Sequence, residues 1–325
     1  MNGSLIHDDY KNLYYKKKIF FDKFNLEQIQ PSSLDLSLSS ECYEIKNSFL
    51  AHNTKVRDKL ENLIIKKINL DKEFIFKINK TYIVRLNEKL NLSKNIFGHC
   101  NPKSSTGRLD IFCRTIVDFA DEYEKIPINY KGEIFLEITC RSFNIKFKKG
   151  NKLNQLRLVN KTHNYLNDKE LKYINNKNKL VFNNKRKVIK IENGLKLSVN
   201  LSQYKKPVAY SAKVNAPIID FSKIYNHEIK DFWEPIFTRT KSIIIERNKF
   251  YILRSKEKVR IPASLAGEMI PYDTGIGDFR AHYAGFFDPG FGDPDGSYAV
   301  LEVKTNEIPF LLEDGQTIAR IKYEK

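Results

Sequence analysis

The chain carries one pattern twice. Tyr82-Ile-Val-Arg85 recurs as Tyr251-Ile-Leu-Arg254, an offset of 169 (251 − 82). In the same register Glu88-Lys89 falls on Glu257-Lys258, Leu92 on Ile261, Gly98 on Gly267 and Pro102 on Pro271. Further on, Leu136-Glu137 matches Leu301-Glu302 and Gly150 matches Gly315, both at an offset of 165 (302 − 137). So many matches in register exceed chance, and they constrain the fold to two copies of one module. The second copy has four residues fewer between its anchors.

The repeated unit is written in strands. Gln30-Pro-Ser-Ser-Leu-Asp-Leu-Ser-Leu-Ser39 alternates strictly from Leu34 to Leu38, which predicts a half-buried strand. Residues 73–78, 81–86, 133–140 and 143–147 are further strand candidates. Residues 10–30 mix Tyr, Ile, Phe and Leu with lysines and predict one amphipathic helix. Short strands joined by turns point to a β-sandwich or barrel. Residues 161–193 differ: they are dense in Asn, Lys and Asp and poor in apolar residues, as a linker or insertion would be. The expected organisation is an N-terminal domain over 1–160, a Lys/Asn-rich linker or insertion over 161–194, and a C-terminal domain over 195–325.

At 325 residues the chain suits about two domains of ~150 residues, and 41% hydrophobic residues suffice for two cores. There is no run of about 18 apolar residues, so no membrane partner is expected. The N-terminus lacks the apolar stretch of a signal peptide, which points to the cytoplasm. Cys42, Cys100, Cys113 and Cys140 are widely spaced and read as free thiols. Net charge is +17, but the lysines are scattered and no nucleic-acid motif accompanies them, so nucleic acid is not the expected partner. A small polyanion such as a nucleotide also gains from a positive field.

Chemistry concentrates in Asn101-Pro-Lys-Ser-Ser-Thr-Gly-Arg108. Lys103 and Arg108 bring positive charge, Ser104, Ser105 and Thr106 bring hydroxyl donors, and Gly107 permits a tight turn. Together they make a short set of donors for a phosphate chain, although the Walker spacing is absent. An ordinary surface loop has the same composition. The second copy has Asp273, Thr274 and Gly277 at the places of Ser104, Ser105 and Arg108. It carries instead Ala281-His-Tyr-Ala-Gly-Phe-Phe-Asp-Pro-Gly-Phe-Gly292, a turn flanked by Tyr283, Phe286, Phe287 and Phe291. These aromatics either wall a flat ring or pack the tip of their own hairpin.

Pro102 to Arg108, followed by Tyr130-Lys-Gly-Glu-Ile-Phe-Leu-Glu137, resembles the dCTP deaminase branch of the trimeric dUTPase superfamily. So does Asp288-Pro-Gly-Phe-Gly292 followed by Ala299-Val-Leu-Glu302, and Gln30 to Leu38 is similar to the superfamily's early strand motif. The likeness covers most of residues 30–158 and 195–325, in the layout of the long tandem form found in some bacteria. It implies a mostly β fold of two tandem dUTPase-like β-barrel/sandwich domains with minor helices. It also implies hydrolytic deamination of dCTP to dUTP and ammonia. On this resemblance Ser104, Ser105 and Arg108, with Lys103, hold the phosphates. Glu137 or Glu302 activates the water, and Ala284 and Asp288 hold the pyrimidine. The departures are Phe286, where the single-domain enzymes have arginine, the loss of the serine near the water from the second copy, and the absence of a glycine-rich phosphate tail at Arg320–Lys325.

Deamination needs a water made nucleophilic at C4 and a proton for the ring and the leaving ammonia, work that one carboxylate can do. Zinc deaminases need His-x-Glu and Pro-Cys-x-x-Cys, and neither is present. The expectation is therefore no protein-bound zinc, with Mg2+ entering through the substrate triphosphate. For either glutamate the plain alternative is an exposed strand residue. The complementary losses in the two copies suggest a composite site and a homo-oligomer, a trimer being expected. Four rival readings remain: a dUTP pyrophosphatase using Asp110 or Asp118, a bifunctional enzyme giving dUMP, a non-catalytic nucleotide-binding or interaction protein, and last a nucleic-acid-binding protein.

Overall fold

Alternating apolar residues form long paired strands in both halves of the repeat. The computed structural model describes residues 3–21, 25–162, 164–182, 189–203, 205–271, 279–282, 285–305 and 308–325, with backbone alone at 271 and 279–282. The chain divides into two units. One holds residues 1–163 and 215–228, the other 164–214 and 229–325. The protein is mostly β, with few helices and barrel-like sheets.

In the first unit the main strands are β1 (Leu34–Ile45), β2 (Ile64–Asn69), β3 (Thr81–Asn91), β4 (Ile96–Pro102), β5 (Ile111–Val117), β6 (Lys131–Cys140) and β7 (Lys152–Asn160). They pair in the order β5-β6-β3-β1-β7-β4, with β2 beside β1. A one-turn helix, α1 (Ser104–Gly107), follows β4. In the second unit α2 (Asp168–Asn178) precedes β8 (Leu195–Ser198), β9 (Ala209–Ala212), β10 (Trp233–Ile236), β11 (Phe250–Val259) and β12 (Ala266–Pro271). After them come β13 (Phe279–His282), β14 (Phe286–Phe287), β15 (Ser297–Thr305) and β16 (Thr317–Glu324). Their sheets run β13-β15-β11-β9-β10 and β8-β16-β12-β14.

These orders are the same topology twice, and the repeat extends to single hydrogen bonds. The Lys77 amide donates to the Tyr82 hydroxyl at 3.2 Å, and the Glu246 amide to the Tyr251 hydroxyl at 3.0 Å. Glu88 accepts from the Ser37 amide (2.9 Å) and hydroxyl (2.7 Å); Glu257 accepts from the Ser198 amide (2.8 Å) and hydroxyl (2.6 Å). Close packing repeats as well. A Cβ at Gly98 would lie 2.8 Å from Leu156 Cδ1, and one at Gly267 would lie 2.9 Å from Ile261 Cδ1 and 3.3 Å from Ile321 Cγ2. A side chain at either position would force its neighbours to shift.

Three local expectations need correction. Among the described residues the helix expected over 10–30 is confined to His7–Tyr15; Lys17, with its φ of 52°, turns the chain away, and a strand at Ile19–Phe20 and a 3-10 turn at Leu26–Gln28 follow. The strand from Leu34 to Leu38 is buried on both faces, because Asp35 and Ser37 find polar partners inside, on Lys103 and Glu88. Residues 164–194, expected as linker or insertion, contain α2 and supply Leu166, Leu171, Leu180, Val181 and Ile191 to the second unit's core. Asn167 caps α2 by accepting from the amides of Lys169 and Glu170. Burying five such side chains offsets a polar sequence, at about 1.5–3 kcal/mol for each large one.

Candidate active site

The loop singled out in the sequence opens as α1. Lys103 stands at its N-cap in extended conformation, and the loop is tied to β7. The Lys103 amide donates to the Leu153 carbonyl at 2.9 Å, the Thr106 hydroxyl to the same carbonyl at 2.7 Å, and the Asn101 amide to Asn154 Oδ1 at 3.0 Å. Thr106 and Gly107 are buried, so the turn is fixed from below. Ser104, Ser105 and Arg108 point outward and are exposed. Among the described residues no other side chain pairs with these three. The Ser104 and Ser105 amides belong to the first helical turn, whose N–H groups have no acceptor within the helix. Lys103 differs from its neighbours, because its ammonium is bound to Asp35 Oδ1 at 2.5 Å. Three of the four expected phosphate ligands are therefore presented to solvent, and the fourth braces the loop.

Glu137 lies on β6, opposite Ile83 on β3 and Arg114 on β5. It is 1% exposed. Arg114 donates to Oε1 through Nε (3.1 Å) and Nη2 (2.5 Å), and the Ser48 hydroxyl donates to Oε2 at 2.5 Å. The guanidinium lies 3.7 Å from the Tyr123 ring centroid and 4.7 Å from that of Phe112. Tyr123 in turn hydrogen-bonds Ser48 at 2.8 Å. Both carboxylate oxygens of Glu137 are thus occupied. Sequence reading missed Arg114, Ser48 and Tyr123, since cross-strand partnership depends on register rather than on any spacing along the chain.

Glu302 lies on β15, opposite Ile252 on β11 and His282 on β13, and is 6% exposed. Ile252 is the repeat of Ile83, so Glu302 occupies the register position of Glu137. The strand that supplies Arg114 in the first unit supplies His282 in the second. The alternative that either glutamate is an exposed strand residue fails for both.

The aromatic turn is held by its backbone. The Gly290 amide donates to the Ile261 carbonyl (3.0 Å), and the Ile261 amide to the Phe291 carbonyl (2.9 Å). At Gly292, with φ of 77°, a Cβ would sit 2.3 Å from the Val259 oxygen. Phe287 and Phe291 meet edge to face at 4.8 Å and pack against the second unit's core. They serve the hairpin itself. Asp288 is half-buried beside them. Ala284 and Tyr283 lie outside the described residues, as do Asp273, Thr274 and Gly277.

A further carboxyl was not anticipated. Glu124 follows β5 with a φ of 63°, and its side chain turns inward toward Asn154. Burial pushes its pKa up to about 7, against the lowering effect of hydrogen bonds from Thr115 and Asn154. Burial likewise pushes the neighbouring Cys100 and Cys113 thiols well above their usual value. Among the described residues no three His, Cys, Asp or Glu side chains gather as a metal site.

Comparison with known proteins bears on this arrangement. Residues 1–162 match the family described as the 2'-deoxycytidine 5'-triphosphate deaminase (DCD) N-terminal domain, and residues 167–325 match the DCD C-terminal domain. The crystal structure of 2'-deoxycytidine 5'-triphosphate deaminase from Agrobacterium tumefaciens superposes with a TM-score of 0.94 at 39% identity. The superposition covers 99% of this chain and 95% of that one. The chain belongs to the dCTP deaminase family. That family is one of hydrolases acting on C–N bonds, with the fold of the dUTPase-like superfamily. Two curated relatives, each named "dCTP deaminase, dUMP-forming", come from Clostridium botulinum strains Alaska E43 (Type E3) and Eklund 17B (Type B). Each is 32% identical over 122 residues, which is 38% of this chain and 63% of the relative. The chain thus spans 63% of the length of these curated relatives. No helix among the described residues is long and apolar enough to cross a membrane.

Proposed function

We propose that the protein deaminates dCTP hydrolytically, with Glu302 as the group that activates water. Oxygen adds to C4 of the cytosine, the C4–N4 bond breaks, and dUTP and ammonia leave. Glu302 takes the proton from water and passes it toward the ring and the departing amine. Ser104, Ser105 and Arg108 hold the triphosphate, Arg108 by paired N–H donors. Mg2+ arrives on the phosphates. Asp288, with Ala284, holds the pyrimidine. In the superfamily that this chain resembles, sites form between neighbouring subunits, and we place the phosphate and base groups in different copies of a trimer.

The observation that supports the choice of glutamate is the place of Glu302 on β15, in the same copy as the Asp288 turn assigned to the pyrimidine. A base must reach the proton it removes, and both Glu137 oxygens already accept from Arg114 and Ser48. Incubation with dCTP and Mg2+, followed by assay of ammonia and nucleotide, tests the reading. One ammonia per dUTP supports it, and dCTP recovered unchanged refutes it.

A second reading rests on the printed name of the Clostridium relatives, whose product is dUMP. On that reading the same incubation yields dUMP and pyrophosphate beside ammonia.

A further inference from the structure

The two copies diverge most where the first runs straight through. In the first unit β1 is one strand, with Ser37 bonded to Glu88 and Cys42 paired with Val84. In the second, its equivalent is broken into β8 and β9. Ser198 bonds to Glu257 and Ala209 pairs with Leu253. The offset between copies is 161 at Ser198 over Ser37 and 167 at Ala209 over Cys42, so six residues are inserted between these points. The inserted loop faces the turn that follows β10, and together they line an open cavity of about 720 Å3.

The lining is cationic. Lys205 and Lys206 come from the loop, and Arg239 and Lys241 from the turn. The segments 195–219 and 235–245 contain no Asp or Glu. Among the described residues no carboxylate pairs with Lys206, Arg239 or Lys241. Phe237, 60% exposed, stands in the same wall.

The walls are fixed from beneath. The Leu201 amide donates to Asp314 Oδ1 at 2.9 Å, and the Asp314 amide donates to the Lys241 carbonyl at 2.9 Å. One residue therefore ties both loops, and its carboxylate is paired with Lys256. The Thr238 hydroxyl closes the turn on the Ser242 carbonyl at 2.8 Å. The first unit has the opposite arrangement at this place. The Lys149 amide donates to the Leu70 carbonyl at 2.8 Å, Leu70 is fully buried, and Lys149 faces Asp71 at 3.8 Å. There a lysine faces a carboxylate across the place where the second unit has Lys241.

We propose that this cavity of the second unit is a binding site for a nucleoside polyphosphate, apart from the groups assigned to deamination. Its volume is that of a small-molecule site. Lys206, Arg239 and Lys241, with no carboxylate paired to them among the described residues, create a positive field that concentrates polyanions. Arg239 offers the fork that matches phosphate oxygens, and Phe237 offers a flat face to the base. The proposal stands on the cavity alone and is independent of which glutamate deaminates.

The test is calorimetric titration of the full chain with inorganic tripolyphosphate and with ATP. It is run on the wild type, on Arg239→Ala with Lys241→Ala, on Phe237→Ala and on Arg108→Ala. The double variant is expected to weaken both ligands at least tenfold with an unchanged melting temperature. Phe237→Ala is expected to weaken ATP about fivefold or more and to leave tripolyphosphate within twofold. Unaltered binding in the double variant overturns the site. A loss confined to Arg108→Ala does so too, since the first unit's loop then took the ligand. If ATP is as tight without Phe237, the nucleoside is not read. If a single-stranded 12-mer displaces ATP and binds far more tightly, the occupant is nucleic acid, and the proposal is wrong.

Discussion

Arg114 holds Glu137 through two hydrogen bonds while its guanidinium lies over the ring of Tyr123, 3.7 Å from the centroid. Glu137 is almost wholly enclosed, whereas the arginine is partly exposed. Removing the arginine leaves a buried carboxylate without its partner, a change that costs about 3 kcal/mol. Arg114→Met is therefore expected to lower the melting temperature by several degrees, and calorimetry checks this. Glu137→Gln keeps its neighbours' donors partly satisfied and is expected to cost less.

Arg108 is exposed at the end of the α1 turn, and its loss changes no packing. Arg108→Ala is expected to raise the KM for dCTP about tenfold or more, as a charged hydrogen bond of about 1.5–3 kcal/mol implies. Steady-state kinetics reads this directly, and the melting temperature should stay put.

Glu124 makes stability depend on pH. Its carboxyl titrates at about 7 in the folded protein and near the ordinary value of 4.5 in the unfolded chain. Between these values the folded state holds the extra proton, so stability falls as pH rises from about 4.5 through 7. Below 4.5 the contribution is fully present, and above 7 it is lost. The whole effect is about 3 kcal/mol at 1.36 kcal/mol per pH unit. Glu124→Gln should flatten this part of the profile of melting temperature against pH, and so gain on the wild type above pH 7.

Leu171 on α2 is fully buried in the second unit. Leu171→Ala is expected to cost about 2–5 kcal/mol, the usual range for a leucine truncated in a core. Denaturant unfolding measures it. A true linker residue would cost almost nothing.

The duplicated fold was legible because strand alternation and register leave traces along the chain. Tyr82 and Tyr251 mark the same hydrogen bond, and Gly98 and Gly267 the same tight contact. The loop from Asn101 to Arg108 was legible as an exposed donor-rich turn for a similar reason, being one continuous segment. The surroundings of the two glutamates were not. Arg114 and Glu137 are 23 residues apart and meet only once β5 and β6 align. Glu124 sits in the acidic run Asp121-Glu122-Tyr123-Glu124, which reads as surface until a left-handed backbone turns one member inward. The segment over 164–194 misled because its few apolar residues are spread among lysines and asparagines, yet those few reach the core.

The most direct test of the assignment is ammonia release from dCTP by Glu302→Gln and Glu137→Gln, each with nucleotide binding measured in parallel. The account predicts that Glu302→Gln loses turnover by about a thousandfold or more, in the range that removal of an acid–base group costs, and still binds dCTP. Glu137→Gln should retain activity within about tenfold. A dead Glu137→Gln beside an active Glu302→Gln would contradict it and move the chemistry to the first unit.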